Sequence, residues 1–279
     1  MKKRIDLHLH THYSDGTFSA AELLDAVRSE KLSAFSVTDH DTLAGYWGVR
    51  ELICETDPEL ISGVELSVMV DGGDLHLLAY LFDPSHESLV AALDVFQRKR
   101  KQRARLIVKR LNEMDVDIQF EEVGRTAGQA AIGRPHIADT MVRLKAVGSY
   151  EEAFEKYIRD GGPAYVPKMN FAPEEAISLV HQAGGVAVLA HPVIDNTARH
   201  IDMLAGLGLD GIEIYHPVHK HSDTERLKHL AERYRLLVSG GSDFHGRSHR
   251  YGMIGSQNVP EECLDKLKQK AAQRKRGKH

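Results

Sequence analysis

Seven short apolar runs, each followed by polar or histidine-bearing residues, constrain the fold of this chain more than any other feature. They cover residues 5–9, 34–37, 60–66, 74–82, 186–190, 211–215 and 236–239. Helical periodicity fills most of the gaps. Helices are expected over 19–30, with Ser19 as cap and Glu22 three residues on, over 43–55, 173–183, 199–206 and 222–234, and after Pro260. Strand–helix alternation argues for an α/β fold with parallel strands. The rhythm stops once. Residues 87–157 read as helix without strands, so four strands precede a helical insertion and three follow it. The expected organisation is a β/α domain of residues 1–84 and 168–279 carrying an insertion of residues 85–167.

The first run sets the chemistry. Ile5, Leu7 and Leu9 alternate with Asp6, His8 and His10. That period of two places His8 and His10 on one face of a strand. Asp15 follows in the turn Ser14-Asp15-Gly16. Two imidazoles and a carboxylate suit a divalent cation, although an isolated HxH favours the reading of a solvated strand end. Further candidates stand at or near other strand ends: His40, Glu65, His76, His191, Asp243 and His245. Asp243 and His245 repeat the spacing of His8 and His10. In a β/α barrel such positions meet in one bowl. Nine nitrogen and oxygen donors without sulfur have the capacity for two or three ions.

Composition narrows the alternatives. The chain holds 17 histidines in 279 residues and carries a formal charge of −4, so it is not a polycation. Its two cysteines, Cys54 and Cys263, lie far apart and outside any CxxC, which fits a reducing cytoplasm. The N-terminus has basic residues but no apolar h-region, and no run of about 18 apolar residues marks a membrane span. No segment points to a protein partner.

Within the insertion, Gly133-Arg134-Pro135-His136-Ile137-Ala138 puts a proline in the first turn of a helix. Arg134 and His136 then stand at a helix N-terminus, where phosphate is attracted. A helix rich in Lys and Arg begins near Arg98. It reads as a solvated face, or as a wall that steers phosphates. The basic tail from Lys266 is expected to be frayed.

Together these residues resemble the polymerase and histidinol phosphatase (PHP) superfamily. The resemblance rests on His8-Leu9-His10, Ser14-Asp15-Gly16, Thr38-Asp39-His40, Gly63-Val64-Glu65, His76, His191-Pro192 and Ser242-Asp243-Phe244-His245. The 133–138 motif is similar to that of the TrpH/YciV-type phosphoesterases. The resemblance implies a distorted seven-stranded (β/α) barrel with a helical insertion after the fourth strand. It implies three metal ions, with Mn favoured over Fe, Zn or Mg. His8, His10, Glu65 and Asp243 would hold one; Asp15, His40 and His245 a second; Glu65, His76 and His191 the third. It also implies hydrolysis of nucleotide phosphates by a metal-bridging hydroxide, acting on 3',5'-nucleotide bisphosphates, on the 5' end of short RNA, or on both. Arg134 would clamp the phosphate, and His136 would contact the phosphate or protonate the leaving oxygen; the alternative for both is a helix start with a surface charge. Histidinol phosphate hydrolysis and a non-catalytic nucleic-acid-binding module are the alternatives. His12 is a possible pocket residue. His216, His219 and His221 are expected in a solvated loop, and His181, His200 and His229 on helix surfaces. Trp47 and Phe35 are expected to pack.

Overall fold

The computed structural model describes residues 4–71, 73–168, 171–246 and 252–277. These residues divide into two compact units, one of residues 1–92 and 170–279 and one of residues 93–169.

In the first unit, β1 (Arg4–Leu9) leads to α1 (Ala20–Ser29), β2 (Ala34–Val37), α2 (Ala44–Arg50), β3 (Glu59–Ile61), β4 (Gly63–Val70) and β5 (Gly73–Tyr80). The chain then enters α3 (Glu87–Asn112), most of which belongs to the second unit. That unit continues with α4 (Phe120–Ala127), α5 (Arg134–Arg143) and α6 (Tyr150–Ala153), the last running into a π-helical turn, Phe154–Ile158. Returning to the first unit, α7 (Pro173–Gln182) precedes β6 (Val186–Leu189). After a 3₁₀ turn, Ile194–His200, come α8 (Ile201–Gly206), β7 (Gly211–Tyr215), α9 (His221–Tyr234), β8 (Leu237–Gly240), β9 (Val259–Pro260) and α10 (Glu261–Arg276).

Nine strands, not seven, occur among the described residues. They form two sheets, of order β3-β2-β1-β9 and β4-β5-β6-β7-β8. The expected all-parallel arrangement holds for β1-β2-β3 and β6-β7-β8. It fails at β4-β5-β6, which are antiparallel. Only two residues separate β4 from β5, too few for a crossover, so the pair must be a hairpin. Asp71 takes the left-handed φ of 50° that such a turn needs. The single run expected at 60–66 is two strands, β3 and β4. No closed barrel forms. The sheets meet at two isolated parallel bridges, Leu9 to Phe244 and His40 to Glu65.

Period two along β1 explains how the site is placed. Ile5 and Leu7 join an apolar cluster with Val188, Leu264 and Leu267. Leu9 packs with Leu23, Val27, Phe35 and Phe244. Asp6, His8 and His10, the alternate set, are also buried, so the solvated strand-end reading is wrong for them. Ser19 caps α1 in a full capping box with Glu22. The basic tail is not frayed as far as Arg276. It lies in α10, which buries Leu264, Leu267 and Ala271 on one face, and Arg274 pairs with Asp210. Phe35 is fully buried, whereas Trp47 is 42% exposed and sets its ring edge to face with Tyr46 at 5.2 Å. Cys54 and Cys263 are free thiols. No helix of the described residues is long and apolar enough to cross a membrane.

The second unit has its own core, built from Ala104, Ile107 and Leu111 of α3, Val123 of α4, Ile137 and Met141 of α5, and Ile158.

Candidate metal centre

Glu65, on β4, is the hub. Its Oε2 lies 3.3 Å from His8 Nε2, 3.2 Å from His10 Nε2 and 3.3 Å from His40 Nδ1. Its Oε1 lies 2.9 Å from His76 Nδ1 and 3.0 Å from His191 Nε2. Asp243 Oδ1 is 3.2 Å from both His8 Nε2 and His10 Nε2. Asp15 faces His245 Nε2 at 3.3 Å and His40 Nε2 at 3.7 Å. All nine residues singled out in the sequence therefore meet in one place. Arg134 and His136 belong to the other unit.

The donors suit cations. His10 Nε2, His40 Nδ1 and Asp15 Oδ1 are buried and make no hydrogen bond. Leaving such atoms bare costs roughly 1–3 kcal/mol each. Two donors, each bound about 2.1 Å from an ion at octahedral or tetrahedral angles, stand about 3.0–3.4 Å apart. The separations of His8, His10 and His40 from Glu65 Oε2 fall in that range.

Imidazole orientation is set from behind. Ser14 donates its hydroxyl to Asp39, so its oxygen accepts His10 Nδ1–H at 3.4 Å. His245 Nδ1–H donates to the Asp243 carbonyl at 2.8 Å. His8 Nδ1–H donates to Glu213 Oε1 at 2.9 Å. Each ring thus turns Nε2 toward the carboxylates, the atom whose lone pair a bound cation would take. Asp39 also accepts from the Thr11 amide and hydroxyl, which fixes the turn after β1. A Cβ on Gly45 would fall 1.9 Å from Asp39 Oδ2, so only glycine fits there.

Charge follows this layout. Burial opposes ionisation of Glu65, yet His40, His76 and His8 hold its carboxyl well below the usual range. Asp243 and Asp15 behave alike, held down against burial chiefly by His8 and by His245 respectively. Burial disfavours a charged His10, but Asp243 and Glu65 push it up to about 10. Burial drives His40 down to about 3. A cation needs imidazole lone pairs, so binding one releases such protons.

Sequence reasoning missed two residues. Glu213 is fully buried within β7. His216, expected in a solvated loop, is buried, and its Nε2–H donates to Asp243 Oδ2 at 3.2 Å. The signal for Glu213 was a carboxylate alternating with Ile212 and Ile214 in an apolar strand. His181 is half-buried and bonded to Asp210, not a bare surface residue. His12 donates from Nδ1 to the Phe18 carbonyl at 3.2 Å. His219 is half-buried, its Nδ1–H bonded to the Ile214 carbonyl, whereas His221 and His229 are exposed.

In the second unit, Pro135 lies in the first turn of α5 as expected. His136 is buried, and its Nδ1 accepts the Gly133 amide at 3.1 Å, leaving the proton on Nε2. The Arg134 guanidinium donates to the Ile158 carbonyl and pairs with Asp160, beside the rings of Phe154 and Tyr165.

The family model described as PHP domain matches residues 6–118. The 5'-3' exoribonuclease Rnm of Escherichia coli is 32% identical over 247 residues, covering 86% of this chain and 84% of the relative. The 3',5'-nucleoside bisphosphate phosphatase of Chromobacterium violaceum is 29% identical over 267 residues, covering 93% of each. A candidate metal-dependent phosphoesterase from Bifidobacterium adolescentis, solved by crystallography, superposes with a TM-score of 0.87 at 30% identity over 96% of both chains. With its histidines and carboxylates gathered around Glu65 and its sequence shared nearly end to end with these relatives, the chain belongs to the PHP domain family.

Proposed function

We propose that this chain is a metal-dependent phosphoesterase that hydrolyses nucleotide phosphates. Its substrates would be 3',5'-nucleotide bisphosphates, losing the 3'-phosphate, or 5'-phosphorylated short RNA trimmed from the 5' end. The observation that carries this reading is the convergence of five imidazoles within 3.3 Å of the Glu65 carboxylate. The relatives named for exoribonuclease and bisphosphate phosphatase activity support the substrate class.

The centre would take three divalent cations, manganese foremost. His8, His10, Glu65 and Asp243 would hold one. Asp15, His40 and His245 would hold another, and Glu65, His76 and His191 the third. Bound cations acidify water and neutralise phosphoryl charge. The chain's residues do the rest. Glu65 and Asp243 supply the negative charge that retains cations, and Ser14 and Glu213 fix the rings of His10 and His8. Arg134 binds a substrate phosphate through its guanidinium. His136, with its proton on Nε2, donates to a phosphate oxygen or to the leaving group. Residues 85–167 are read as a family insertion that supplies these contacts. The two bridged sheets are read as the distorted form of the family barrel.

The test is a substrate panel with Mn-loaded protein: 3',5'-bisphosphoadenosine, 5'-phosphorylated oligoribonucleotide and histidinol phosphate. Release of phosphate or nucleotide from either of the first two is expected. Turnover of histidinol phosphate alone would overturn the assignment.

A further inference from the structure

Glu213 stands outside the nine candidate ligands yet touches two of them. It is fully buried on β7 and uses one oxygen on each. Oε1 accepts His8 Nδ1–H at 2.9 Å. Oε2 accepts the backbone N–H of His191 at 2.7 Å. The His191 backbone is unusual in its own right. Its φ is +26°, a region that non-glycine residues enter under strain and keep only when neighbours hold them there.

We propose that Glu213 is a positioning residue that couples two of the metal sites, orienting the imidazole of His8 for one ion and the strained backbone of His191 for another. The inference rests on the cation-binding reading of the centre given above. Direct ligation by Glu213 is disfavoured by its contacts. The 2.9 Å between Oε1 and His8 Nδ1 is an ordinary hydrogen bond, and the other oxygen is committed to an amide. His216, the other imidazole beside Glu213, turns its Nε2 to Asp243, and its Nδ1 accepts the Val218 amide at 3.3 Å.

The three anchored rings also differ in what holds them. His10 is held by a hydroxyl oxygen and His245 by a backbone carbonyl, but His8 by a carboxylate. A carboxylate behind an imidazole fixes its tautomer and makes the opposite nitrogen a stronger donor. Losing it typically weakens metal binding about 10–100-fold. Glutamine keeps the shape but loses the charge, and its amide offers only one acceptor oxygen for the two donors.

The experiment titrates metal-free wild type and Glu213→Gln with MnCl2 by calorimetry and counts retained ions by elemental analysis. Two of the three ions should bind about 10–100-fold more weakly in the variant. The ion assigned to Asp15, His40 and His245 should keep its wild-type affinity. Equal weakening of all three, or of none, would overturn the proposal. Should the variant not fold, nitrogen-15 spectra of the Zn-loaded wild type decide. The His8 ring must carry its proton on Nδ1, and a bare Nδ1 would overturn the proposal. Neither readout uses turnover. Protein that binds cations but hydrolyses no substrate would defeat the phosphoesterase reading and leave this test in force.

Discussion

Glu65 and Asp210 are both buried carboxylates of the first unit, and their surroundings are opposite. Asp210 is closed by the protein. Arg274 grips it with two nitrogens at 2.8 and 3.1 Å, His181 donates at 2.9 Å, and the Ala187 amide donates at 2.9 Å. Glu65 meets imidazoles at every approach, and near it lie buried atoms that make no hydrogen bond. A saturated carboxylate fastens α10 to β6 and α7. One ringed by imidazoles, with buried atoms beside it that make no hydrogen bond, is arranged for something the polypeptide does not supply. Burial of charge alone does not mark a functional site; what marks it is whether the protein completes the shell.

That contrast can be broken experimentally, beginning with the largest effect. Chelator treatment should abolish turnover of the bisphosphate and RNA substrates and lower the melting temperature, because ions that bind only the folded state stabilise it by about 3–4 kcal/mol at 100–1,000 times their dissociation constant. A cation-depleted protein with full turnover would remove the basis for the comparison. Glu65→Gln should reduce cation affinity and turnover by more than about 100-fold, beyond the usual loss for an outer residue, while circular dichroism stays native. Asp210→Asn should do the reverse. It strands Arg274 and costs about 3 kcal/mol in urea unfolding, with the number of bound ions unchanged. Lost metal in that variant would show that the two carboxylates are not independent.

Acid should separate them further. Burial works against ionised Asp210, but His181 and Arg274 bring it down to about 2, below its ordinary 3.8. A depressed carboxylate stabilises the fold above its unfolded pKa and loses that contribution as pH falls through the folded one. Asp210 therefore contributes about 2 kcal/mol above pH 4 that fades towards pH 2. The check is that acid unfolding of Asp210→Asn lacks this component. The smallest effect concerns the second unit. Arg134→Ala should raise KM about tenfold, roughly the value of one charge-assisted phosphate contact, with metal content unaltered.

The same contrast explains what could be read from the chain alone. His8 and His10, like Asp243 and His245, declare themselves through period two at strand ends, because alternation fixes which face a side chain takes. Glu65 and His76 are legible as strand residues, yet their partners across the sheet are not. The hairpin that joins β4 to β5 depends on Asp71 and a two-residue connection, a local turn signal that strand–helix alternation overrides. Glu213 and His216 follow no ligand motif. Their importance comes from lying behind His8 and Asp243, partners 205 and 27 positions away that spacing cannot express. The basic tail misled for a different reason. Its charge suggested solvent, whereas Leu264, Leu267 and Ala271 recur at helical intervals and bind the segment to the core.

Asp6 gives the centre a history as well as a shape. Its carboxylate accepts the amides of Ser242, at 2.9 Å, and of Gly255, at 2.8 Å, joining β1 to segments 236 and 249 residues away. Closing loops that long is entropically slow and comes late in folding. The set of His8, His10, Glu65 and Asp243 is therefore complete only once the segment carrying Asp243 has docked on β1. A cation at that set would find its four residues already gathered by the fold rather than gather them itself.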